Sequence, residues 1–178
     1  MSAFVRTPDP TEALPRTLYL VRHAIAAERG EKYPDDRARP LTKTGATRMR
    51  RVAAGLARLR PDIDLVLTSP LVRAHRTAEI LLAALVPAPR LEVLDELAPG
   101  HAPGEVAAAL GRYADRQTIT LVGHEPDLGA LAAWLLGAHE PLPFKKGSIA
   151  CVDVAAFPPG RTGRLRWFAT PRMLRALE

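Results

Sequence analysis

The feature that most constrains this chain is an alternation of short apolar runs with longer stretches of helical periodicity. Residues 18–21, 65–68, 91–94 and 118–122 are compact apolar runs of strand length. Residues 41–60 repeat Met49, Val52, Ala53, Leu56 and Leu59 along one helix face, with Thr42 or Thr44 near the start and Pro61 at the end. Residues 71–85 follow Pro70 at a helix start. Residues 104–113 read as a short helix, and residues 126–136 as a helix closed by Gly137. Residues 148–155 and Arg164–Ala169 read as a closing pair of strands. Alternation of this kind predicts an α/β fold, a three-layer sandwich with a mainly parallel central sheet. With 178 residues the chain can bury a real core in one domain. The expected organisation is a flexible leader at residues 1–16, carrying Pro8, Pro10 and Pro15, and a single domain at 17–178. The leader has no apolar core and does not read as a secretory signal.

Composition narrows the partners. No apolar run approaches the ~18 residues of a membrane span, so no membrane association is expected. Cys151 is the only cysteine and cannot form an intrachain disulfide, which fits a reducing, cytoplasmic setting. The net charge of +6 admits nucleic acid as a partner. The arginines, however, are scattered, without a dense run or aromatic interleaving. A solvated basic surface and no nucleic-acid partner are expected. The same field would attract phosphorylated ligands.

In open α/β sheets, ligands bind at the carboxyl ends of the strands. Those ends carry Arg22-His23, then Ser69-Pro70-Leu71-Val72-Arg73, then Asp95-Glu96, then Gly123-His124-Glu125-Pro126. Histidines, arginines and a carboxylate therefore converge on one edge, and their chemistry suits phosphoryl transfer. An imidazole can attack phosphorus and form a labile N–P bond. Arginine forks match phosphate oxygens bidentately and stabilise the charge that spreads over them. The second histidine can donate to the same oxygens. Neither a P-loop pattern nor an Asp-rich cluster accompanies the histidines, so a mechanism with no metal and no cofactor is expected.

Leu20-Val21-Arg22-His23-Ala24 resembles the signature of the histidine phosphatase superfamily, whose fold is the phosphoglycerate mutase-like one, with Ala24 where the signature usually has glycine. Arg39-Pro40-Leu41-Thr42-Lys43-Thr44-Gly45 resembles the family's Leu-Thr-x-x-Gly segment. Ser69 to Arg73 with Thr77 is similar to its second arginine motif, and Gly123-His124 to its second histidine motif. The compact length, Gly123-His124-Glu125-Pro126 and Lys146-Gly147-Ser148-Ile149-Ala150 further resemble the SixA-type phosphohistidine phosphatases. This resemblance implies that His23 is the nucleophile and passes through a covalent phosphohistidine. It implies that Arg22, Arg73 and His124 bind the phosphate, with Arg39 able to reach it. The implied substrate is a phosphohistidine-containing signalling or phosphotransfer protein, with phosphate as product.

Each residue also has a plainer reading. Arg22-His23 alone could be a surface dipeptide, Arg73 a solvated charge, Arg39 a loop arginine and His124 a cap before the next helix. Their order at successive strand ends favours the pocket. Glu96 reads as a proton donor or as an ordinary loop carboxylate; Asp95, His124 or solvent would donate otherwise. His75, His101 and His139 read as surface histidines, Lys145 and Lys146 as flanking a strand, and Trp134 as core. A small-molecule phosphomonoesterase and a non-catalytic phosphate-binding module stay open as alternatives. The short segment between Leu94 and Gly104 offers little lid, which favours an open site and a protein substrate. A mutase, which must shield its intermediate from water, is disfavoured for the same reason.

Overall fold

The computed structural model describes residues 15–59 and 61–178. The expected leader falls almost wholly outside the described residues, and Arg16 already belongs to the first strand. Six strands form one sheet: β1 (Arg16–Arg22), β2 (Leu65–Thr68), β3 (Arg90–Val93), β4 (Thr118–Gly123), β5 (Ile149–Val154) and β6 (Arg164–Ala169). Their order across the sheet is β3-β2-β4-β1-β5-β6. The first four strands are mutually parallel, whereas β5 runs antiparallel to both β1 and β6. The sheet is thus mainly parallel, as expected.

Side-chain alternation along the strands builds two cores. Leu18 and Leu20 of β1 face one side, with Leu128, Leu131 and Leu135 of α4 (Asp127–Leu136) and Val106 of α3 (Pro103–Ala109). Tyr19 and Val21 face the other, with Met49, Val52 and Leu56 of α1 (Lys43–Arg58), and Ala74 and Ala78 of α2 (Val72–Leu82). Leu174 of α5 (Pro171–Arg175) closes this second core. Helices therefore cover both faces, which is the predicted three-layer arrangement. Trp134 packs against the first core. No helix among the described residues is long and apolar enough to cross a membrane.

Element ends depart from the sequence reading for local reasons. α1 starts at Lys43 because Thr42 is its N-cap, its hydroxyl accepting from the Gly45 N–H. α2 covers only Val72–Leu82 of the predicted 71–85, with Leu71 as N-cap and Pro70 outside. The predicted 104–113 helix divides into α3 and a 3-10 turn at Leu110–Tyr113, with Gly111 in the second part. α4 ends as expected at Gly137, whose φ of 64° is the left-handed cap conformation glycine adopts without strain. The unpredicted α5 is only five residues long, too short for a hydrophobic period to declare it.

Candidate active site

The sheet ladders deliver the key residues to one edge. Arg22 pairs with Gly123 at the ends of β1 and β4. One residue further on, the His23 N–H donates to the Gly123 carbonyl at 3.0 Å, so the histidine's backbone is still clamped to its neighbour. The Ser69 N–H likewise donates to the Val122 carbonyl at 3.0 Å. Thr77 ties α2 to the loop after β1: its hydroxyl donates to the Arg73 carbonyl at 2.7 Å and accepts from the Ala24 N–H at 3.0 Å. α1 presses on the same loop. The Thr42 N–H donates to the Ile25 carbonyl at 3.0 Å, and a Cβ on Gly45 would stand 2.0 Å from that oxygen. The Leu-Thr-x-x-Gly segment thus has a steric origin: only glycine admits this approach.

His23 and His124 are both buried, with ring centroids 5.0 Å apart and planes inclined at 52°. The Nδ1 of His23 lies 2.7 Å from the Ala24 carbonyl. A carbonyl only accepts, so Nδ1 carries the proton and Nε2 keeps its lone pair. Burial lowers the His23 pKa to about 3, assisted by the nearby cations Arg73 and Arg22 and opposed by the bond to Ala24. Burial also lowers His124 to about 3, with His23 and Arg73 adding to the effect. Both rings are neutral at pH 7. The Nε2 of His124 is 2.8 Å from the Ser69 hydroxyl.

Arg73 is buried with its Nε 3.3 Å from the His23 Nε2. Its terminal nitrogens donate to Asp36, Nη1 to the backbone carbonyl at 2.7 Å and Nη2 to Oδ2 at 2.9 Å. Asp36 lies in a 3-10 turn (Asp36–Ala38) and also binds Arg39 Nε at 2.7 Å and Arg29 at 3.0 Å. Partial burial works to raise its pKa, but the bonds from Arg29, Arg39 and Arg73 outweigh it and hold the carboxyl well below the usual carboxylate range. Arg22 points its Nη1 at the Phe144 carbonyl, 2.5 Å away. Burial lowers its pKa, and Glu125 partly offsets this. Glu125 in turn accepts from the Phe144 N–H at 2.7 Å and holds that loop in place. The buried polar atoms with no protein partner include Arg22 Nε and His124 Nδ1. An unsatisfied buried group costs about 1–3 kcal/mol, and phosphate oxygens would relieve it.

The edge therefore brings His23, His124 and Arg73 together, with Arg22 beside them and Arg39 joined through Asp36. Glu96 stands apart. It borders a narrow gap that His124 also lines, but its carboxylate accepts from Arg112 at 3.1 and 3.2 Å. Burial would raise its pKa; its own backbone amide and Arg112 win and hold it below the ordinary value. His75 and His101 are half-exposed partners of Glu79 and Glu105, and His139 is exposed. Asp36 is the site residue that sequence reasoning missed. Its only signal was a carboxylate three residues before Arg39 in a loop. Among the described residues no group of three or more His, Cys, Asp or Glu converges as metal ligands would.

Comparison with known proteins matches residues 18–126 to the family model described as the histidine phosphatase superfamily (branch 1). An uncharacterized protein of Picosynechococcus sp. is 44% identical over 138 residues, spanning 74% of this chain and 81% of that protein. The phosphohistidine phosphatase SixA of Escherichia coli is 30% identical over 156 residues, spanning 86% of this chain and 93% of SixA. A solved structure of the protein histidine phosphatase SixA complexed with tungstate superposes with a TM-score of 0.76 at 29% identity, covering 88% of this chain and 97% of that one.

Proposed function

The chain belongs to the histidine phosphatase superfamily, branch 1, and is a phosphatase; from that premise we propose that it hydrolyses phosphohistidine on a signalling or phosphotransfer protein of the cytoplasm, through a phosphoryl group held on His23. The observation that carries this reading is the neutral His23 ring, its Nδ1–H fixed on the Ala24 carbonyl and its Nε2 lone pair facing Arg73. Nε2 attacks phosphorus, and the P–N bond to the substrate imidazole breaks. Arg22, Arg73 and His124 hold the phosphoryl oxygens as charge spreads over them. Arg39 supports Arg73 through Asp36. The phosphorylated His23 ring still has its Nδ1 proton and is cationic, so its Nε2–P bond is weak. Water adds to phosphorus, that bond breaks, and inorganic phosphate leaves with His23 neutral again.

Two further points favour phosphohistidine over a phosphate ester. An alkoxide leaving group needs a strong general acid, whereas an imidazole leaves neutral once its other nitrogen, which is basic and not bonded to phosphorus, has taken up a proton. Glu96, the carboxylate nearest that task in sequence, is held ionised by Arg112. The relative named for phosphohistidine hydrolysis covers most of this chain, and tungstate in the solved SixA structure is a tetrahedral oxyanion shaped like phosphate. The test is a panel of a histidine-phosphorylated protein, phosphoamino-acid peptides and sugar phosphates. The histidine-phosphorylated protein should have the highest kcat/KM. A clear preference for a sugar phosphate or another small ester would make the chain a small-molecule phosphomonoesterase instead.

A further inference from the structure

Beside the loop that follows His23 lies a cavity of about 280 Å³ that the proposed chemistry does not use. Arg48, Lys145, Lys146, Arg172 and Arg175 all line it, and no acidic side chain does. Among the described residues none of these five forms an ion pair. Other surface arginines do find carboxylates, Arg29 at Asp36, Arg76 at Glu79 and Arg112 at Glu96, whereas exposed Arg37, Arg50, Arg58 and Arg161 stand singly rather than around one concavity. Like charges gathered around one concavity repel each other and raise the local potential, which favours an anionic occupant. The wall also has an apolar part, from Ile25, Met49, Val52 and Pro171. An inorganic anion would leave that surface unused, so the occupant that fits carries carboxylates on an organic body.

The cavity is joined to the histidine site. Ala24, the residue after His23, is part of its wall. Gly147, also in the wall, donates its N–H to the Arg22 carbonyl at 3.0 Å, and Lys146 just before it is near enough to act on the His23 ring by its charge. A ligand anchored at His23 by its phosphoryl group therefore has this cavity as its neighbour. We propose that the Arg48–Lys145–Lys146–Arg172–Arg175 cavity binds an acidic, partly apolar segment flanking the phosphohistidine of the protein substrate, and so selects among phosphoproteins. The inference rests on the reading of the site as a phosphoprotein phosphatase. Tethering through the phosphoryl group makes the second contact intramolecular, so modest contacts are enough to discriminate.

The test uses two synthetic phosphohistidine peptides, one with flanking Glu and Leu residues and one with Gln in place of each Glu. Wild type is compared with Arg48→Gln/Arg172→Gln/Arg175→Gln and with the single variant Arg172→Gln. Wild type should have a KM for the acidic peptide roughly tenfold below that for the neutral one at low ionic strength, a gap that narrows with salt. The triple variant should lose the preference, the single variant part of it. Turnover of p-nitrophenyl phosphate, which is too small to span both sites, should be unchanged in both and reports that they fold. Equal KM values for the two peptides in wild type, or a preference that survives the triple substitution, would overturn the proposal. So would a dimer in sedimentation that the triple variant abolishes, since the cavity would then hold a second copy. Binding of the unphosphorylated labelled peptides, read by fluorescence anisotropy, separates the two readings. An acidic-over-neutral preference without turnover of either peptide would support the cavity and reject phosphohistidine as substrate; loss of the preference alone rejects the cavity.

Discussion

The Arg73 guanidinium has Nε against the nucleophile and both terminal nitrogens against Asp36, so it binds and is itself positioned. Arg73→Ala should lower kcat/KM about 10–100-fold, the loss of a charge-assisted contact of about 1.5–3 kcal/mol, in both KM and kcat. Asp36→Asn keeps the carbonyl bond to Nη1 and weakens the rest, so it should cost about 3–10-fold, mostly in kcat. Wild-type kinetics in both variants would place Arg73 outside the pocket. Glu96→Gln should leave phosphohistidine and aryl phosphate turnover nearly unchanged, because the carboxylate is engaged by Arg112. A selective loss of about 10²-fold or more on an alkyl phosphate would instead make Glu96 the proton donor. The convergence of Arg22, His23, Arg73 and His124 was legible because each ends a strand or comes soon after one, and strand ends converge. Asp36 was not. Its partner Arg73 is 37 residues away, and nothing in a polar loop announces which aspartate the fold will bring back.

At the level of elements, α1 fixes the loop that carries the nucleophile. Thr42 caps it, and Gly45 lets it lie on the Ile25 carbonyl. A methyl group at Gly45 would meet that oxygen at 2.0 Å, and the obstacle is backbone, so the loop after His23 has to move. Gly45→Ala should therefore destabilise the protein by about 1–3 kcal/mol in urea unfolding and also lower kcat. Unchanged stability and kcat would show that the loop is not held by this contact. α1 was readable from its helical period, and β2 (Leu65–Thr68) and β6 (Arg164–Ala169) match the predicted bounds. The turn bearing Asp36 and α5 were not readable: at three and five residues neither completes two helical turns, so no helical period registers. α5 nevertheless matters, since the Leu174 carbonyl sits where a Cβ on Gly55 of α1 would be.

Across the whole molecule, the strand order β3-β2-β4-β1-β5-β6 places β4 between β1 and β2, and this sets the two histidines side by side. Sequence periodicity gives strands but not their neighbours, because parallel pairing is decided by contacts far apart in the chain. The buried histidines also set a pH dependence of stability. In the unfolded chain each takes up a proton near pH 6.5. In the folded chain each does so only at about 3. Between those values the unfolded state binds more protons, so stability is fully present above about pH 6.5 and falls as pH falls towards 3, by at most about 1.4 kcal/mol per pH unit for each histidine. Urea unfolding at pH 7.5 and pH 5 should register this loss, and His124→Gln should make it shallower; an equal loss in the variant would contradict the burial account. The central claim is that the phosphoryl group passes through His23. The direct measurement is the intact mass of the enzyme mixed briefly with a histidine-phosphorylated protein and quenched in alkali, which preserves N–P bonds. The account predicts one added phosphoryl group on wild type, mapped to His23 and lost on acid treatment, with none on a folded His23→Ala variant, which should not turn over. Substantial turnover by His23→Ala, or an added group on another residue, would contradict it.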